Sequence, residues 1–272
     1  ALVDTDSTIG CDGDTDLLGT NSVGSSIFVI DNVNGTFSTT TTAPTGGGPT
    51  GLAAVDNNGQ PGVDHLYVAC TDAGTVEHWT ADAARGGRAF PFEKFGELTD
   101  LEGPIDIDPI DENEDKDILL IVSLSGSDEV GIIGGAFGMQ GGMETFSVGA
   151  SPTNIAVGLL DGSGGFDAVT TNVGDDSISV LVSDPNLIFK PAVDLPVGGT
   201  PRSITLIDLD GDADLDIAVI IDDEVAGAGV VVLRNDTSSN SDTLVFAPAE
   251  VLDINGFPLM VDQGLIDSDQ QP

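Results

Sequence analysis

Five aspartates alternate along Asp208-Leu-Asp210-Gly-Asp212-Ala-Asp214-Leu-Asp216. Carboxylates at every second position of a tight loop direct their oxygens into one space, which suits a hard cation such as calcium. Without a counter-ion they repel, and a pair about 5 Å apart costs roughly 1–3 kcal/mol depending on local dielectric. No Cys or His lies in the segment, which disfavours zinc and copper. The alternative is a plain solvated acidic turn.

Related segments recur. Asp56, Asn58, Gln60, Gly62 and Asp64 keep the spacing with fewer charges, predicting weaker binding. Asp4 and Asp6 precede a short insertion, then Asp12, Asp14 and Asp16. Asp108, Asp111, Asn113, Asp115 and Asp117 form a variant with altered spacing. In a further segment Leu159 stands in the first acidic position, leaving Asp161, Ser163 and Asp167, so this loop is expected to bind least.

These loops belong to a repeat. A glycine turn, a proline, an apolar strand, an acidic loop and a second apolar strand recur around Pro49, Pro104, Pro152 and Pro201, with a further start at Pro258. The period is about fifty residues, and its variation marks loop insertions in a fixed unit. The fifth unit offers four strand candidates: 203–210, 216–221, 229–235 and 244–253. Its second candidate is a nearly continuous apolar run, as expected for burial on both faces. Phe37, Phe92, Phe146, Phe189 and Phe246 occupy similar places and are expected to pack between neighbouring sheets.

Four antiparallel strands per unit predict an all-β fold, a β-propeller of four-stranded antiparallel blades. The predicted blades are 1–48, 49–102, 103–150, 151–199 and 200–256, with 257–272 opening a sixth, all in one propeller domain. That partial count predicts a parent of six or seven blades, with a five-bladed ring as the alternative.

The phrase running from Phe through Pro, an apolar strand, Asp208–Asp216 and a second apolar strand resembles the FG-GAP/VCBS repeat of integrin α-chain heads and many secreted bacterial proteins. The resemblance implies a propeller, usually of seven blades, with calcium in the loop joining the first two strands of a blade. It implies side-chain ligation by Asp208, Asp210, Asp212 and Asp216, and a backbone carbonyl from Asp214. Ala213 stands where the family usually has Gly.

Charge narrows the function. There are 46 Asp and Glu against 7 Lys and Arg, a formal net charge of −39. Such a surface repels nucleic acid and anionic lipid and attracts cations. Asp far outnumbers Glu, as metal turns prefer; a saline habitat is the competing explanation. No apolar run is long enough to cross a membrane. No leader is visible before ALVDTD, so the chain is expected to be a mature or truncated piece. Cys11 and Cys70 do not make a disulfide framework.

Catalytic signatures are sparse. His65 and His78 are the only histidines, and His78 adjoins the one tryptophan, Trp79. A structural pair is favoured there over a catalytic base or sugar platform. Arg85, Arg88 and Lys94 read as a surface loop that offsets local acidity. No nucleophile elbow, phosphate loop or zinc pair is present, and no acid pair suited to glycoside hydrolysis stands out. These features predict a secreted or cell-surface, calcium-binding module for adhesion, scaffolding or recognition, with an extracellular protein or glycan partner and no catalysis. The alternatives are a polysaccharide lyase or hydrolase, or a lectin.

Overall fold

A computed structural model of the chain describes residues 2–3, 16–33, 36–55, 65–81, 92–110, 119–134, 142–162, 165–183, 189–223, 227–237, 244–254, 258 and 260–261. Among the described residues every long regular element is a strand. They form five four-stranded antiparallel sheets, each a meander in chain order. The first sheet holds β1 (Leu2–Val3), β2 (Asp16–Asn21), β3 (Ser26–Val33) and β4 (Thr36–Pro44). The second holds β5 (Pro49–Val55), β6 (His65–Cys70), β7 (Thr75–Ala81) and β8 (Phe92–Leu98). The third holds β9 (Pro104–Ile110), β10 (Leu119–Leu124), β11 (Glu129–Ile133) and β12 (Met143–Ser147). The fourth holds β13 (Pro152–Gly158), β14 (Asp167–Asn172), β15 (Ser177–Leu181) and β16 (Val193–Pro196). The fifth holds β17 (Thr200–Ile207), β18 (Asp216–Asp223), β19 (Gly227–Leu233) and β20 (Glu250–Ile254).

The repeated phrase has a local cause. The residue before the marker proline takes a left-handed φ at Gly48, Gly103 and Ser151. The carbonyl of that residue then accepts the amide of Thr71, Ser125 or Val173, in the turn after the second strand of the same sheet. The proline has no N–H to lose and opens the first strand. β6 and β14 are buried along their whole length. β14 is polar where β6 is largely apolar, and its hydroxyls are satisfied within the sheet: Thr170 Oγ1 donates to the Asn154 carbonyl at 3.0 Å, and Thr171 Oγ1 bonds Thr153 Oγ1 at 2.8 Å.

Two expectations shift. The fourth strand of the fifth unit begins at Glu250, not 244. Phe246 makes only an isolated bridge to Asn235, and Pro248 cannot donate to a ladder. Of the phenylalanine row, Phe92 and Phe189 are buried and Phe146 meets Phe189 edge-on at 5.4 Å, but Phe37 is 55% exposed.

The chain divides into two compact units. In the first, Leu66, Val68 and Cys70 face the Leu18, Ile27 and Val29 side chains of the first sheet. The alternate residues Tyr67 and Ala69 face Ile107, Leu120 and Val122 of the third. In the second unit, Val169, Ile178 and Val180 meet Ile204, Ile217, Val219 and Val231 in one core. Both units therefore read as period-two strands buried between sheets.

Candidate functional site

The loop from Asp208 to Asp216 joins β17 to β18. Asp208 closes it from within: Gly211 N donates to Oδ1 at 2.7 Å and Ala213 N to Oδ2 at 3.0 Å. Gly211 sits at φ +83° and Ala213 at +76°. Asp214 N donates to Asp212 Oδ1 at 3.0 Å. At the far end Asp216, only 1% exposed, accepts Leu209 N at 2.9 Å and Asn235 N at 2.8 Å. Asp208, Asp210 and Asp216 each bring a carboxylate oxygen within 4.8 Å of the others, the one such metal-sized group among the described residues. Local desolvation, with Asp212 and Asp216 close by, pushes the Asp210 carboxyl above its ordinary range. Arg234 Nη1 approaches Asp210 at 3.6 Å.

Of the five aspartates predicted as ligands here, three converge. Asp212 and Asp214 lie in the same loop outside the cluster. An all-oxygen donor set with repelling carboxylates fits a hard divalent cation, not a soft one. A bound cation would neutralise the cluster and fix the β17–β18 connection; Asp208, Asp210 and Asp216 would hold it.

The other predicted positions separate. Asp56, Asn58, Gln60, Gly62 and Asp64 lie outside the described residues, as do Asp4, Asp6, Asp12, Asp14, Asp111, Asn113, Asp115 and Asp117. Asp108 is not in a loop: it lies inside β9, opposite Ile121 of β10. Burial first, and the Asp106 carboxylate second, push its carboxyl up to about 7.

Asp16 shows what the last acid of each phrase does locally. It is 2% exposed at the start of β2 and accepts Asn32 N at 2.7 Å. Asp167 does the same at the start of β14. It accepts Ser183 N at 2.9 Å, Leu160 N at 2.8 Å and Asp161 N at 3.2 Å. Burial raises its proton affinity and these amides oppose the rise. Asp16 thus ties the head of the second strand to the end of the third, and Asp167 and Asp216 tie it to the chain leaving the third.

A second polar cluster went unread in the sequence. Glu77, 1% exposed on β7, accepts Gly46 N at 2.8 Å, Trp79 Nε1 at 3.1 Å and Lys94 Nζ at 2.7 Å. Lys94 also reaches Glu97 at 2.7 Å. Desolvation lowers the proton affinity of Lys94, but its bonds to Glu77 and Glu97 prevail and raise it. Nearby, His65 Nδ1 and His78 Nε2 are 2.9 Å apart and Tyr67 stacks on His78 at 4.6 Å. His78 and Trp79 are buried, so they form core and not a sugar platform. Cys70 is a free thiol, fully buried and pushed up to about 11 by burial and then by Glu77, which makes it unreactive. No helix among the described residues is long and apolar enough to cross a membrane.

No protein-family model matches the chain, and no curated protein matches it. Solved structures do. A hydrazine synthase from Kuenenia stuttgartiensis superposes with TM-score 0.60 at 14% identity, over 89% of this chain and 64% of that one. The chain therefore spans less than two thirds of that protein. A putative 6-phosphogluconolactonase from Bacteroides fragilis gives TM-score 0.67 at 14% identity, over 91% of this chain and 70% of that one. A periplasmic gluconolactonase from Pseudomonas aeruginosa gives 0.58 at 14% identity, over 88% and 70%. These likenesses support the β-propeller and do not support membership of the FG-GAP/VCBS family. They also correct the expectation of a module without catalysis, because structures of this fold include gluconolactonases. That expectation leaned on the scarcity of His and Tyr, whereas carboxylates and a cation can also serve hydrolysis. With five four-stranded antiparallel sheets and these likenesses, the chain is similar in fold to gluconolactonase-type β-propellers.

Proposed function

We propose that the chain is a carbohydrate-active propeller, periplasmic or secreted, that acts on small sugar lactones and carries calcium in its 208–216 loop. The likeness of fold to gluconolactonase-type propellers over 91% of the chain carries the reading. An unphosphorylated sugar lactone is uncharged, so a surface of net charge −39 does not repel its approach. The aldonate product is an anion, and the same field favours its departure. The calcium part is supported by the convergence of Asp208, Asp210 and Asp216.

The test is turnover of glucono-δ-lactone and 6-phosphogluconolactone, read as proton release above the spontaneous rate, with calcium and with chelator. Saturable turnover of either lactone is the expected result. Folded, calcium-loaded protein that leaves both at the buffer rate defeats the proposal. The negative field gives the unphosphorylated lactone the higher apparent affinity, and this preference weakens as salt screens it.

A further inference from the structure

We propose that the outer edge of β20 docks an extended peptide of alternating apolar and basic residues, which adds to the fifth sheet as a further strand. β20 is the last strand of its sheet, and among the described residues no strand pairs with its outer edge. All of its residues are exposed. Val251 is 54% exposed, Leu252 49% and Ile254 39%. Neighbouring residues of a strand point to opposite faces, so apolar side chains stand open on both sides of this edge. Its ladder to β19 runs without a bulge from Glu250 to Ile254, which leaves the edge straight. Pro248 precedes the strand, and none of residues 250–254 is proline, so every main-chain amide there is intact.

The other outer strands carry devices that blunt an edge. The β3–β4 ladder shifts register between Asp31 and Asn32, and β4 ends at Pro44. The β7–β8 ladder shifts between His78 and Trp79, and β8 presents Lys94. β16 is 4 residues long and ends at Pro196. The apolar side chains of β12, Met143 and Phe146, are both partly covered. β20 has no bulge, proline or lysine, and its charges are Glu250 and Asp253, both exposed. Charge then selects the occupant. Glu250 keeps 57% of its side chain exposed with Arg234 Nη2 at 3.8 Å. A basic residue directly across from either carboxylate is favoured, and an acidic one is opposed. The whole chain, at net charge −39, draws cationic segments in and repels a second copy of itself. Main-chain bonds to the free edge would supply the affinity, and the mixture of apolar and acidic side chains the selectivity.

The experiment titrates the folded chain into a fluorophore-labelled synthetic peptide of alternating valine and lysine, followed by anisotropy at physiological salt. A second peptide of the same length and charge has its central valine replaced by proline, which removes a main-chain donor. We expect saturable binding of the first peptide and at least several-fold weaker binding of the second. Leu252→Lys should weaken the first peptide at least several-fold. Val193→Lys, which adds the same charge to an exposed position of β16, should weaken it far less. Hydrogen exchange in the complex should show new protection among the amides of residues 250–254. Circular dichroism confirms that both variants are folded. Three results overturn the proposal: no saturable binding of the alternating peptide, equal binding of the two peptides, or Leu252→Lys and Val193→Lys variants that bind alike. So does a parent chain that self-associates in sedimentation and becomes monomeric on Leu252→Lys, because the edge then serves a second copy.

Discussion

Replacing Asp216 by alanine separates the two tasks this residue has. Its carboxylate is 1% exposed and accepts two main-chain amides, Leu209 N at 2.9 Å and Asn235 N at 2.8 Å. Asn235 is itself buried, so its amide has no water to turn to. An amide left without a partner in such a place costs about 1–3 kcal/mol, and bonds to a charged acceptor lie at the upper end. Two of them, with the Leu209 amide partly open to water because that residue is 43% exposed, give about 2–5 kcal/mol. Offsetting this, the variant removes a carboxylate from the repelling group formed with Asp208 and Asp210, a gain of about 1 kcal/mol at the loop surface. The net loss is then about 1–4 kcal/mol in the absence of any cation. For a chain of this size that lowers Tm by roughly 2–15 °C. Asp210→Asn removes the same repulsion and keeps an oxygen that can accept the Asp212 amide, so in chelator it should leave Tm unchanged or raise it slightly. Thermal unfolding in chelator, followed by circular dichroism, measures both. Hydrogen exchange at Asn235 adds a local reading: its amide should lose protection in the Asp216 variant alone. An Asp216→Ala protein that melts with the parent in chelator would refute the claim that this acid is first a staple and only second a ligand.

Three other substitutions follow from the same geometry. A Cβ on Gly51 would lie 2.7 Å from Asp106 Cα and from the Ile105 carbonyl oxygen, and 2.9 Å from Ile107 N. Because these are main-chain atoms, Gly51→Ala should cost about 1–3 kcal/mol by overpacking, read by urea unfolding. Glu77→Ala takes the carboxylate acceptor from Trp79 Nε1 and Gly46 N and leaves Lys94 with Glu97 alone, a loss of about 2–4 kcal/mol that should shift the Trp79 fluorescence midpoint in denaturant. Asp108 has a folded pKa raised from 3.8 to about 7. Its contribution to stability is therefore complete below about pH 4 and is lost as pH rises through about 7. Asp108→Asn should flatten that slope and stabilise the protein above neutrality by at most about 4 kcal/mol, with no gain in acid. Denaturation midpoints across that pH range decide it.

Much of the fold was legible because it rests on local rules. The glycine or serine before Pro49, Pro104 and Pro152 is explained by a left-handed φ at Gly48, Gly103 and Ser151. The apolar second strands follow from burial between sheets. The 208–216 cluster was legible only in part. Alternation assumes an extended chain, and left-handed turns at Gly211 and Ala213 rotate Asp212 and Asp214 away from the three acids that meet. Asp108 was assigned to a loop because its spacing suits one, but the β9–β10 ladder runs on to Ile110 and holds it in a strand. Glu77 gave no signal, since its partners Gly46 and Lys94 lie 31 and 17 residues away and only the sheet brings them together. The expectation of no catalysis rested on which side chains are scarce, and scarcity does not fix what a fold of this kind can host.

A crystal of the chain soaked in terbium, a calcium substitute with a strong anomalous signal, would show whether the loop is a cation site. We expect a peak within coordination distance of Asp208, Asp210 and Asp216, lost on chelation and absent in Asp210→Asn. Well-ordered density for residues 208–216 with no peak among those three carboxylates, in a crystal where terbium binds elsewhere, would contradict it.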